Sequence, residues 1–94
     1  MPTYHLTTLR IIDREKFLDY AAKARPLLEQ YGGEYLAAGR AAGSLEGEAI
    51  AGPLVLTKWA DTKALTKFWN SEEYRGLRDY RSGAVLVDST IIES

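Results

Sequence analysis

The 94-residue sequence contains no cysteine. That single absence removes a disulfide framework, thiolate nucleophiles, cysteine-ligated zinc and iron–sulfur clusters together. Histidine is almost missing: His5 is the only one, so no His–His or His–carboxylate spacing marks a metal site, and none is expected. An excess of one charge is also lacking. Twelve basic against thirteen acidic residues leave a formal charge of −1, without the basic run that follows phosphates or an anionic membrane surface. Neither nucleic acid nor a membrane is expected as a partner. No apolar run approaches the roughly 18 residues that cross a bilayer. The opening Met1-Pro2-Thr3-Tyr4-His5 has neither the basic stretch nor the apolar core of a signal peptide, which predicts a cytoplasmic protein. Gly39 and Gly43 lack the strand, turn and helix context of a dinucleotide fingerprint, and no P-loop, nucleophile elbow or catalytic triad is present. No cofactor is expected.

The residues that are present, 46% hydrophobic and 27% charged, fit one globular domain over 1–94 that is stabilised by packing alone. Thr3 to Ile12 is rich in Thr, Tyr and Ile and ends at Asp13, a strand running into a helix cap. From Arg14 to Tyr31, Phe17, Ala21, Ala24, Leu28 and Tyr31 recur at alternating steps of four and three, the stripe of an amphipathic helix. Pro26 predicts a kink or a restart within it, and Gly32-Gly33 a stop. Glu34 to Leu45 reads as a second strand loosened by two glycines. A turn over Gly47 to Pro53 and a third strand at Leu54 to Trp59 complete a hairpin. Asp61 caps a helix carrying Ala64, Leu65, Phe68 and Trp69, which Asn70-Ser71 interrupts before a new turn with Tyr74, Leu77 and Arg81 on one face. Ala84 to Ile92 is the fourth strand. The order predicts an α+β, ferredoxin-like β-α-β-β-α-β domain: a four-stranded antiparallel sheet with two helices on one face.

A sheet wet on one side should alternate apolar with polar residues. Ile11-Ile12, Leu54-Val55-Leu56, Val85-Leu86-Val87 and Ile91-Ile92 instead place aliphatic side chains on both faces. Each one left exposed forfeits about 1.5–3 kcal/mol relative to burial, in a domain whose whole stability is about 5–15 kcal/mol. Pairing of two copies through the open sheet faces removes that cost, so the expected partner is a second copy of the chain.

Tyr31-Gly32-Gly33-Glu34-Tyr35-Leu36, the later Leu45-Glu46-Gly47, and Asn70-Ser71-Glu72-Glu73-Tyr74 followed by Arg81 together resemble domain of unknown function 1330. Tyr4, Phe17, Tyr20 and Val87-Asp88 fall in similar places, so the resemblance runs end to end. It implies a ferredoxin-like subunit of a dimeric α/β barrel, the superfamily of cofactor-independent antibiotic-biosynthesis monooxygenases, muconolactone isomerases and haem-degrading enzymes. It implies no reaction. Two positions depart from the family pattern: Arg40 where a glycine is frequent, and Trp59 where a carboxylate is common.

The candidate ligand-binding residues are Tyr35, Trp69, Tyr74 and Arg81, which come from different elements and could line a cleft between helices and sheet. Aromatic walls and one cation suit a small aromatic or acidic molecule, with Arg81 meeting a negative oxygen and a tyrosine or His5 handling a proton. The plainer alternative is that the aromatics are core and that Arg81 pairs with Glu73 or Asp88. His5 is a packed strand residue, a proton carrier or a lone haem ligand. Glu46 either fixes the hairpin turn or acts as a base at the mouth of the cleft. The function that follows is a small homodimeric protein with a small-molecule pocket, acting as a cofactor-independent enzyme or as a non-catalytic ligand- or protein-binding module.

Overall fold

A computed structural model describes residues 1–94. Seven elements follow one another: β1 (Thr3–Ile11), α1 (Arg14–Gln30), β2 (Glu34–Arg40), β3 (Pro53–Trp59), α2 (Thr62–Trp69), α3 (Glu72–Arg81) and β4 (Val85–Glu93). The strands form one antiparallel sheet in the order β2-β3-β1-β4, the ferredoxin-like arrangement expected from the element order. Three helices rather than two accompany the sheet. The break expected at Asn70-Ser71 is complete, because Ser71 takes an extended conformation and its hydroxyl accepts from Tyr74 N at 3.1 Å, starting a new helix.

The other helix starts are capped by the residues that the sequence offered. Asp13 accepts from Lys16 N at 3.1 Å and Asp61 from Ala64 N at 2.8 Å. α1 ends in a paired motif: Gly32, at φ +96°, donates to Glu29 O, while Gly33 donates to Leu28 O, both at 3.0 Å. Of the kink or restart expected at Pro26, the restart does not occur: α1 is one 17-residue helix with that proline inside it. One expectation needs correction. β2 does not reach Leu45 but stops at Arg40, and residues 41–52 form an open loop. Ala41, Ala42, Gly43 and Ser44 bring too little side chain to hold a strand against the sheet.

The register fixes which side chains meet the helices. His5 stands opposite Thr57 on β3 and Ile91 on β4, and Thr7 opposite Val55 and Ser89. Thr3, His5, Leu9, Thr57, Trp59 and Val85 are buried on this side. The core gathers Ala24 and Leu28 of α1 with Trp59, Leu65, Phe68 and Tyr74. The alternate residues face the opposite way, where no helix lies: Leu6 opposes Leu56 and Thr90, Tyr4 opposes Ile92, and Arg10 opposes Leu86. Ile12 has left the strand and is exposed. No helix is long and apolar enough to cross a membrane.

Candidate ligand chamber

The sheet floor under the helices is unusual for a core. Where two central strands and their neighbour should present aliphatic side chains, they present His5, Thr7, Thr57 and Ser89, all of which line a chamber of about 100 Å³ between sheet and helices. Phe17, Tyr20, Ala21, Ala24 and Leu28 of α1 wall it on one side; Phe68, Trp69 and Tyr74 close another, and Tyr35 of β2 a third. An apolar space with a few convergent polar groups is the usual form of a small-ligand site.

Each polar group has a particular state. His5 lies edge-on to Trp69, with centroids 5.7 Å apart, and its Nε2 is 3.4 Å from Thr7 Oγ1. Burial lowers its pKa below the ordinary 6.5, because the imidazolium would lose hydration that nothing nearby replaces. His5 is therefore neutral at physiological pH. Tyr20 and Tyr74 share a hydrogen bond of 2.7 Å between their hydroxyls, which leaves further donor and acceptor capacity on the pair. Burial, reinforced by Tyr74, raises the Tyr20 pKa far above the ordinary tyrosine range, so its hydroxyl is protonated and can donate. Burial also raises Tyr35.

Of the six candidates named from the sequence, His5, Tyr35, Trp69 and Tyr74 meet at this chamber. Arg81 does not line it. Its guanidinium lies 5.6 Å from the ring centroid of Tyr20, behind the hydroxyl pair. It pairs with neither Glu73 nor Asp88; Tyr31 donates to Glu73 Oε1 instead. Glu46 sits on the exposed loop over 41–52, where its backbone carbonyl accepts from Ser44 Oγ at 2.7 Å. That bond belongs to a local turn.

Two contributors were not picked out as candidates. Tyr20 is the partner of Tyr74, and its spacing from Phe17, Ala24 and Leu28 on α1 was available as a signal. Arg78 covers the outer side of Trp69, 4.9 Å from the ring, and also approaches Tyr74; it follows Tyr74 by one helical turn. No group of three or more His, Asp or Glu side chains assembles into a metal-holding cluster. A chamber of this size has no room for a haem.

A family model described as Domain of unknown function (DUF1330) matches residues 2–94. The chain belongs to the DUF1330 family. Solved structures with the same fold include a protein of unknown function from Rhodopseudomonas palustris, with TM-score 0.80 and 18% identity over 99% of this chain and 82% of that one. A dimeric ferredoxin-like protein of unknown function from Jannaschia sp. CCS1 matches with TM-score 0.78 and 13% identity over the whole of both chains. SnoaB, a cofactor-independent oxygenase from Streptomyces nogalater, matches with TM-score 0.73 and 6% identity over 99% of this chain and 92% of that one. At these identities the likeness to solved structures establishes the fold of this DUF1330 member and nothing further. No curated protein matches it.

Proposed function

We propose that this DUF1330 protein is a homodimer, paired through its open sheet faces, in which each subunit takes a small aromatic or acidic molecule into the chamber between helices and sheet. The observation that carries the reading is the polar floor. His5, Thr7, Thr57 and Ser89 occupy helix-facing positions where aliphatic residues would stabilise the fold more. The buried Thr57 hydroxyl has a structural role, accepting from Trp59 Nε1 at 3.0 Å, whereas His5 is buried with only the half-buried Thr7 hydroxyl 3.4 Å away, a cost that packing alone leaves unexplained. Pairing through the opposite face is supported by the exposed Leu86 and Ile92 and the half-buried Leu6 and Leu56, and it leaves the helix side free.

The same groups suit proton transfer without a cofactor. Neutral His5 accepts a proton from a bound molecule, and the Tyr20–Tyr74 hydroxyls donate to an oxygen that gains negative charge. Arg81, held against Tyr20, favours that charge from behind. SnoaB shows that this fold can carry a reaction without a cofactor.

Trp69 lines the chamber, so intrinsic fluorescence reports occupancy. A panel of small aromatic compounds should quench it saturably in the parent protein, and Ala21→Phe, which fills the chamber, should abolish the response while circular dichroism is kept. Equal binding by Ala21→Phe, or no binding by any compound, rejects the chamber as the site. Turnover of a bound compound that Tyr74→Phe slows without weakening binding assigns an enzyme; binding without turnover assigns a ligand-binding module.

A further inference from the structure

A second, larger space of about 390 Å³ lies between α1 and the outer strands β2 and β3. Leu9, Phe17, Ala21, Tyr35 and Val55 line both it and the chamber, so the two spaces adjoin along a shared, mostly apolar lining. Three arginines border this groove: Arg14 in the first turn of α1, Arg25 further along the same helix, and Arg40 at the end of β2. No carboxylate lines it.

Charge balance within the protein does not account for that grouping. Arg25 has partners, since its Nε is 3.4 Å from Glu29 Oε1 and its guanidinium lies 4.7 Å from the centroid of the Tyr35 ring. Arg14 and Arg40 form no ion pair, although the chain holds thirteen acidic residues against twelve basic ones. Like charges brought together beside low-dielectric walls raise the local positive potential, and a guanidinium fork matches the two oxygens of a carboxylate. Tyr35 stands where the two spaces meet, with Arg25 over its ring.

We propose that the groove is the outer half of the binding site and selects an amphiphilic carboxylate, whose aryl or short alkyl end enters the chamber while its carboxylate is held by Arg14 and Arg40. The inference rests on the chamber being a ligand site. It moves the anion-binding role from Arg81, behind the tyrosine pair, to the rim of the groove. The inner volume is somewhat below the roughly 150 Å³ that holds a benzene ring in an engineered cavity, and the adjoining groove supplies the length for a chain.

The test titrates phenylalkanoates of increasing chain length, each against its matching alcohol, into the parent protein and follows tryptophan fluorescence at low salt. At the best chain length the carboxylate should bind about tenfold more tightly than the alcohol, the scale of one charge-assisted contact at a partly exposed site. Arg14→Gln combined with Arg40→Gln should abolish the preference, and Arg81→Gln should keep it. Arg14 and Arg40 are exposed, so folding is not at stake in the double variant; Arg81 is half-buried with its Nε enclosed, so circular dichroism checks that Arg81→Gln is folded. Equal binding of acid and alcohol at every length overturns the groove assignment while the chamber stands. A preference that disappears with Arg81→Gln instead also overturns it. Binding of neither series removes the chamber reading and this inference with it.

Discussion

Replacing Leu56 by Asp tests the pairing of sheet faces. Leu56 sits at the middle of the open face, opposite Leu6 on one side and Ala37 on the other. Around it Leu86 is 55% exposed, and Leu36 and Ile92 are 44% exposed. Together these three leave uncovered the equivalent of nearly one and a half side chains, worth about 2–4 kcal/mol per subunit if a partner buries them. A carboxylate in the middle of that contact loses the leucine burial and must be dehydrated, at a cost of about 3 kcal/mol per subunit or more. Twofold symmetry doubles the effect to about 6 kcal/mol, which weakens dimerisation by about four orders of magnitude. Sedimentation equilibrium should give the parent as twice the 10.5 kDa chain and Leu56→Asp as a monomer. Leu86→Asp, at a more exposed edge position, provides a second variant whose folding is not in question. A parent that sediments as a single chain, or both variants dimerising within tenfold of the parent, would refute the reasoning.

Three further outcomes follow from the chamber and the core. Tyr20→Phe and Tyr74→Phe should each destabilise by about 1–3 kcal/mol, because each leaves the other hydroxyl buried without its partner, whereas the double variant should cost far less than their sum; urea unfolding that shows simple additivity would contradict the shared bond. His5, the only histidine, should titrate below 6.5 by NMR. As pH falls through 6.5 the unfolded chain gains a proton that the folded one refuses, so stability drops until the folded pKa is reached, and His5→Gln should flatten that slope. A pKa at or above 6.5 would contradict its burial as a neutral group. Gly33→Ala should cost about 1–3 kcal/mol, since its Cβ would lie 2.5 Å from Leu28 Cδ2 and 2.6 Å from Trp59 Cζ2 in a packed core, whereas Gly39→Ala meets nothing within 4 Å and should be near neutral. Thermal melts of the two variants that coincide would count against that packing.

Those predictions rest on features that the sequence exposed unevenly. The caps at Asp13, Asp61 and Ser71 and the glycine stop after α1 were legible because they are local: each depends on residues within one turn of each other. The length of β2 was not legible, because whether Ala41 to Leu45 pair depends on what the neighbouring strand offers them. Aliphatic residues on both sheet faces were readable from the paired aliphatics, yet that same pattern concealed the better clue. Thr3, His5 and Thr7 alternate on the face that the helices cover, and polar residues at that period on a covered face mark a site. Trp69 and Tyr74 were placed together because they flank the helix break at Asn70-Ser71. The approach of Tyr20 to Tyr74, across 54 positions, and the grouping of Arg14 with Arg40 arise only when α1 lies down on the sheet.

The central claim is that the space beneath α1 is open to an organic molecule, and the location of a bound probe tests it most directly. With methyl-labelled protein and benzene, intermolecular nuclear Overhauser contacts should appear at Ala21, Ala24 and Val55, which line the chamber. Contacts confined to Leu6, Leu56 and Leu86 on the opposite sheet face, or none at saturating benzene, would contradict it.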